Sequence, residues 1–195
     1  MQNITTFGLN KINLLFENNS FRPSYIVSVN NHVLDQNKDF YTTTDIPLFL
    51  GYRAVKSGIP LRDNIFFQAT NEGFATKCNF SIGLGSTVTY VALQIAYHLG
   101  FHSVALVGCD HYFETKGEAD KLVEAGETDP NHFDPRYFSN GVKWNLPDLI
   151  NSERGYLLAK KYFEASGRKV VNCTDGGNLE TFPRMELKEF IDKDL

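Results

Sequence analysis

The chain has 195 residues, a length that suits one domain, and its 42% hydrophobic and 22% charged residues are the ordinary globular mix, which excludes disordered and collagen-like chains. Nineteen Lys and Arg against 23 Asp and Glu leave a net charge of −4. No basic face is in view to draw on counterion release, so general nucleic-acid binding is excluded.

In chain order, residues 4–9 are β-rich. Asn10 is placed to cap a helix carrying Ile12, Leu15 and Phe16 at helical spacing, and Pro23 stops that helix. Residues 24–30 form a continuous apolar strand suited to a sheet covered on both faces. Residues 31–41 predict a second short helix, 46–50 and 65–68 further strands, and 56–60 a turn. Residues 74–82 fit a strand less clearly. The clearest block begins at the small-residue loop 81–85. Ser86 or Thr87 then opens a helix to Leu99 with Val88, Val91, Ala92, Ile95 and Ala96 on one face, and Gly100 stands at its C-terminal cap. Residues 102–108 read as a buried strand ending in Cys109-Asp110-His111. From Tyr112 to Leu149 charged and turn residues dominate. A short helix is expected over 118–125, and the remainder reads as a long excursion, with a lid over 113–150. Asn151 is expected to cap an amphipathic helix ending at Ser166-Gly167; a strand over 169–172 and a helix over 185–191 complete the chain.

This alternation predicts one α/β nucleotide-binding domain over 1–195, with a Rossmann-like, mainly parallel sheet and helices on both faces. Ligands in such sheets bind at the carboxyl ends of the strands. That rule selects residues 8–10, 30–31, 83–87, 108–111 and 172–177. Cys78, Cys109 and Cys173 are odd in number and far apart, so they read as free buried thiols in a reducing compartment. No apolar run approaches the ~18 residues of a membrane span, and Met1-Gln2-Asn3 lacks a signal peptide's charged start. A soluble cytoplasmic protein is expected, with peripheral membrane contact and the oligomeric state left open.

Gly83-Leu84-Gly85-Ser86-Thr87 precedes a helix, where backbone amides and the helix dipole favour phosphate; an ordinary tight loop with a Ser or Thr cap is the plain alternative. It is not a P-loop, and Val88 stands where a third dinucleotide-fingerprint glycine would be. Asn10 and Asn30 stand at strand ends, where an amide suits a nucleobase or ribose, or simply caps a helix. Asp110, His111 and Tyr112 follow the most buried strand. His132, between Pro130 and Pro135, is the natural general base, with Asp129 or Asp134 to orient it; a loop histidine packed on aromatics is the structural alternative. His98 and His102 read as structural, and no compact metal-ligand pattern is present.

The stretch from Gly85 through Phe101 to His111 resembles the MptE-like domain family, which includes archaeal 6-hydroxymethylpterin diphosphokinases and bacterial motility-accessory glycosyltransferases. Residues 131–138 and 172–184 are similar to its bacterial surface-glycan branch. More distantly the chain resembles bacterial sialyltransferases that use CMP-sialic acid. The resemblance implies a CMP-sugar-dependent glycosyltransferase acting on a glycan acceptor in lipopolysaccharide or capsule synthesis. It implies Asn10, Asn30, Gly85, Ser86, Thr87, Asp110 and Tyr112 as nucleotide ligands and His132 as catalytic base, with His111 the alternative base. No cofactor or metal is then required. Under the diphosphokinase alternative magnesium would be, with Asp110 and Asp134 as ligands. The sequence departs from both families in starting after the place of their Gly-x-Gly-Pro-Ser segment. That departure makes an incomplete donor site, and a non-catalytic nucleotide-binding module, a third expectation.

Overall fold

The computed structural model describes residues 4–62, 65–70, 72–79 and 81–194, with 65–70 and 194 described by their backbone. Met1 to Asn3, on which the reading of the N-terminus rests, lie outside the described residues, as does Phe80 within the expected 74–82 strand.

Five strands form one sheet in chain order: β1 (Phe7–Leu9), β2 (Tyr25–Ser28), β3 (Leu48–Gly51), β4 (Ile65–Thr70) and β5 (Ser81–Gly83). Every pairing in it is parallel. All five carboxyl ends therefore share one edge. The connections carry a 3-10 helix (Ile12–Glu17), α1 (Asn31–Gln36), α2 (Lys38–Thr43) and α3 (Arg53–Lys56). Successive side chains of a strand point to opposite faces. Ile26, Leu48 and Leu50 accordingly pack with Leu34, Tyr41 and Ala54 on one side. Val27 and Phe49 pack with Ile82, Val91, Ala92 and Ile95 on the other. Burial on both faces is why these strands read as continuous apolar runs.

The helix over the second face is α4 (Val88–His98), in which every residue from Thr89 to Ala96 is buried. Its far side, Tyr90 and Leu93, packs against Tyr156, Ala159 and Phe163 of α5 (Leu149–Ala165). A helix that is apolar all round is a core helix. Its one large polar side chain, Gln94, is fully buried and completes the edge of β5. Its Oε1 accepts from the Gly83 and Ala75 amides, and its Nε2 donates to the Gly83 carbonyl at 2.8 Å. Backbone groups that no neighbouring strand pairs are thereby satisfied.

Beyond α4, β6 (Ser103–Leu106) pairs in parallel with β9 (Lys169–Asn172), and α6 (Leu187–Asp194) ends the chain. The fold is thus a mixed α/β arrangement of short, open, mainly parallel sheets and helices.

Several local expectations change. The expected 118–125 helix is instead β7 (Leu122–Glu124), paired antiparallel with β8 (Lys143–Asn145). Val123 faces Trp144 and packs inward between outward Leu122 and Glu124, a two-residue period that a helix would scramble. Asp148, not Asn151, caps α5, accepting the Asn151 amide at 2.9 Å. Asn10 caps nothing: its φ is +49, and the helix after it is a 3-10 turn with no side-chain cap. The 31–41 helix is two helices broken at Asn37. All three cysteines are free, but only Cys78 is fully buried. No helix among the described residues is long and apolar enough to cross a membrane.

Candidate active site

Three of the sequence-selected residues carry unusual backbone. Asn10 follows β1, Ser86 follows β5 and His111 follows β6, and all three have positive φ, at +49, +55 and +52. Non-glycine residues visit this region rarely, and such strain collects at binding and catalytic sites. Gly85, at φ +52, must be glycine for a second reason: a Cβ there would lie 2.3 Å from the Tyr90 ring.

The loop before α4 is built as expected. Thr87 is its N-cap and accepts from the Thr89 amide, while Ser86 is exposed. Thr87 Oγ1 also lies 3.4 Å from the Tyr156 hydroxyl, and the Tyr156 ring meets the His111 ring edge-on at 5.6 Å. His111 Nε2 is 3.0 Å from Glu153 Oε2, and Glu153 in turn accepts a short hydrogen bond from Thr181. This chain of contacts joins the phosphate-type loop to the loop after β6. Tyr156 and Glu153 were not singled out in the sequence. They lie on α5 at a spacing that core packing explains equally well.

On the same sheet edge, Asn30 is the N-cap of α1, its Oδ1 accepting from the His32 and Val33 amides. The capping alternative is therefore what its carbonyl does. Asn10 is held on three sides. Its amide donates to Val27 O, its carbonyl accepts from Tyr41 Oη at 3.0 Å, and its Oδ1 accepts from Ser28 Oγ at 3.3 Å. Its side chain also hydrogen-bonds Tyr137, whose hydroxyl burial keeps protonated.

Tyr137 leads to His132. The two rings stack at 3.9 Å and 5°. Phe113, Phe138 and Trp144 stand edge-on around the imidazole. Packing on aromatics, the structural alternative, is thus real. The imidazole is also positioned by a carboxylate. His132 Nδ1 lies 2.7 Å from Asp129 Oδ2, and Asp129 is buried. The Asp129 carboxylate also accepts from the Asn131 and Phe138 amides. It is fixed by two backbone donors before it meets the ring. A carboxylate on Nδ1 selects the tautomer whose Nε2 is a bare acceptor. Nε2 makes no hydrogen bond to any described residue. Burial lowers the His132 pKa, against the opposing pull of Asp129, so the ring is neutral at pH 7 and ready to take a proton. Of the two expected orienting residues, Asp129 does this. Asp134 is bound by its neighbour: Arg136 Nε and NH2 hold its two oxygens at 2.9 and 2.8 Å. As a metal ligand it would have only one lone pair of Oδ2 left beside that pair and the Arg136 amide.

Lys11 was not anticipated. It directly follows Asn10, is 7% exposed, and donates to Gln36 Oε1 at 2.8 Å and Tyr137 O at 2.5 Å. It lies over the Phe138 ring at 4.9 Å, and burial lowers its pKa to about 8. A single lysine beside a 3-10 turn gives no sequence signal of this. The amine ties the end of β1 to the loop that carries His132.

A cavity of about 430 Å³ opens beside these groups. One wall is Asp110, Tyr112 and Glu114, from the loop after β6; another is Gly177 and Asn178, from the loop after β9. Gly177 presses on the Asp110 backbone, where a Cβ would fall 2.7 Å from Asp110 Cα, and the Asn178 amide donates to Asp110 O. The third wall is Pro130 and Asn131, the two residues between Asp129 and His132. Among the described residues no hydrogen bond, ion pair or ring contact joins His132 to Gly85, Ser86 or Thr87. The connection between the two halves of the site is the cavity wall and the Tyr156–His111 chain. Compared with family models, with curated proteins and with solved structures, the chain matches none.

Proposed function

We propose that this chain is a nucleotide-sugar glycosyltransferase of surface-glycan synthesis, using a CMP-linked donor on a single Rossmann-like domain. The observation that carries the proposal is the Asp129–His132 pair, a neutral imidazole oriented through Nδ1, with Pro130 and Asn131 between its members forming a cavity wall. Sugar transfer needs a base for the acceptor hydroxyl. In this reading His132 Nε2 takes that proton as the oxygen attacks the anomeric carbon. The bond from that carbon to the donor phosphate breaks, and CMP leaves. Ser86, Thr87 and the N-terminus of the eleven-residue α4 meet the phosphate charge as it develops. Asn10 and Asn30, at the ends of β1 and β2, lie along the same sheet edge for the nucleoside. The diphosphokinase alternative is weaker, because Arg136 already holds both oxygens of Asp134.

Thermal shifts with CMP, ATP and a pterin, each with and without magnesium, test this. CMP alone should raise the melting temperature. At a hundredfold excess over its Kd the gain is about 2.7 kcal/mol, roughly 5–10 °C for a chain of this size. A shift with ATP only when magnesium is present would favour diphosphate transfer. No shift with any of them would count against nucleotide binding altogether, the non-catalytic nucleotide-binding module included.

A further inference from the structure

The cavity beside His132 carries a charge that a nucleotide does not explain. Asp110 and Glu114 bring two carboxylates to its walls, and no lysine or arginine lines it. Two cations touch lining residues from outside the lining itself, and each is held by backbone carbonyls. Lys116 donates to Phe113 O at 2.6 Å and lies 4.5 Å over the Tyr112 ring. Arg184, behind the Gly177 wall, donates to the Gly176 and Gly177 carbonyls and to Glu180. The Asp110 and Glu114 carboxylates, the Tyr112 hydroxyl and the Asn178 side-chain amide make no hydrogen bond to any described residue. Asn131, by contrast, is fully used: its Oδ1 accepts from the Glu114 and Thr115 amides and its Nδ2 donates to Thr115 Oγ1. The cavity therefore has one rigid wall and four solvent-facing polar groups that no described residue engages, free to exchange water for a ligand. Tyr112 is 49% exposed, and with Lys116 over one face of its ring it offers the other.

A phosphate or carboxylate in this cavity would meet like charges at close range. A ligand rich in hydroxyls would instead donate charge-assisted hydrogen bonds to the two carboxylates and accept from the amide. Its C–H face could rest on Tyr112. We infer that the cavity is the acceptor subsite, and that it takes the neutral, polyhydroxylated end of a glycan and rejects acidic sugars. The inference rests on the transferase reading above. It moves Asp110 and Tyr112 from the donor to the acceptor. Through Pro130 and Asn131 it sets the acceptor beside the base.

Saturation-transfer NMR on the full chain tests it, with methyl galactoside and methyl glucoside as neutral probes, glucose 6-phosphate as the acidic probe, and CMP. Both neutral glycosides should give signals and glucose 6-phosphate should give none. The Asp110→Asn/Glu114→Gln double variant should weaken glycoside binding by about 10- to 100-fold, one charge-assisted hydrogen bond or more, and leave CMP binding unchanged. Glu114→Lys should admit glucose 6-phosphate. Both changes are on exposed side chains, and an unaltered melting temperature verifies folding. The inference is overturned if the glycosides bind the double variant as well as they bind the native chain, or if CMP is the ligand lost. It is also overturned if CMP binds the native chain and no glycoside does, and the transferase reading survives that result. Loss of both ligands from the native chain would sink the transferase reading, and this inference with it.

Discussion

His132 and His111 each meet a carboxylate, yet the two pairs are built differently. Asp129 is buried, pinned by the Asn131 and Phe138 amides, and reaches His132 through Nδ1. Its partner ring is stacked at 3.9 Å on Tyr137 and walled by three further aromatics. Glu153 has a side chain 38% exposed, reaches His111 through Nε2, and shares its carboxylate with Thr181. The first pair leaves one ring nitrogen bare on a fixed imidazole, next in sequence to the Pro130-Asn131 cavity wall. The second ties the loop after β6 to α5 and, through Thr181, to the loop after β9. The two pairs differ in the rigidity of the carboxylate and in which nitrogen it occupies, and under the transferase proposal the first is the base and the second a strut.

The sharpest way to break this contrast is to remove each imidazole in turn. His132→Ala should lower turnover by about 10²–10⁴-fold, the usual worth of a positioned base, with little change in CMP affinity. His111→Ala should cost far less turnover. The opposite ranking in steady-state kinetics would move the base to His111.

Stability should show the same asymmetry. Asp129→Ala leaves the buried Phe138 amide and the part-buried Asn131 amide without an acceptor, the buried one at about 1–3 kcal/mol, so urea denaturation should show a loss of roughly 1–4 kcal/mol. Glu153→Ala removes a half-exposed pair and should cost about 1 kcal/mol or less from that pair. Equal losses would mean that the Asp129 network is no more than a surface pairing.

Lys11 gives a smaller effect. Lys11→Met keeps the apolar stem over Tyr137 and Phe138 but strips the Tyr137 carbonyl of its donor, at about 1–3 kcal/mol. Turnover should fall with it if the amine holds the His132 loop in place. A variant as stable and as active as the native chain would show that the loop is held by its aromatics alone.

How much of this was open to the sequence depended on the range of the interactions. The strand 24–30, the core helix before Gly100 and the parallel, strand-then-helix order were legible because burial on both faces writes continuous apolar runs. The Asp129–His132 pair was legible in part: His132 stands between prolines with an aspartate near on either side, and Asp134 was as good a candidate as Asp129. The β7–β8 pairing was not, since Val123 meets Trp144 across 20 residues of turn-rich chain. Nor were Lys11 and Glu153 legible. Lys11 owes its burial to Gln36 and Tyr137, and Glu153 meets His111 and Thr181; all four partners are distant in sequence. Asn10 was also expected to cap the helix after β1, and it does not: it ends the strand at φ +49, bonded to Ser28 and Tyr41.

The smallest effect expected is a pH dependence that belongs to His132. Burial lowers its pKa below the ordinary 6.5, outweighing the pull of Asp129. The unfolded chain then binds a proton at this residue before the folded protein does. Wherever the unfolded state holds more protons, stability rises with pH. Above pH 6.5 both states are neutral and the residue contributes no slope. As pH falls from 6.5 through the folded value, stability is progressively lost. Asp134 has the opposite placement on the scale: the Arg136 guanidinium holds its carboxyl below 3.8, so its contribution is intact near pH 5 and is lost only in stronger acid. Urea titrations between pH 5 and 7 therefore keep clear of Asp134 and of Lys11, whose lowered pKa is about 8, and comparison with His132→Gln isolates the histidine. The native chain should lose more stability from pH 7 to pH 5 than His132→Gln does. Parallel curves for the two would mean that Asp129 balances the burial, and that the ring enters the acid range already sharing its proton.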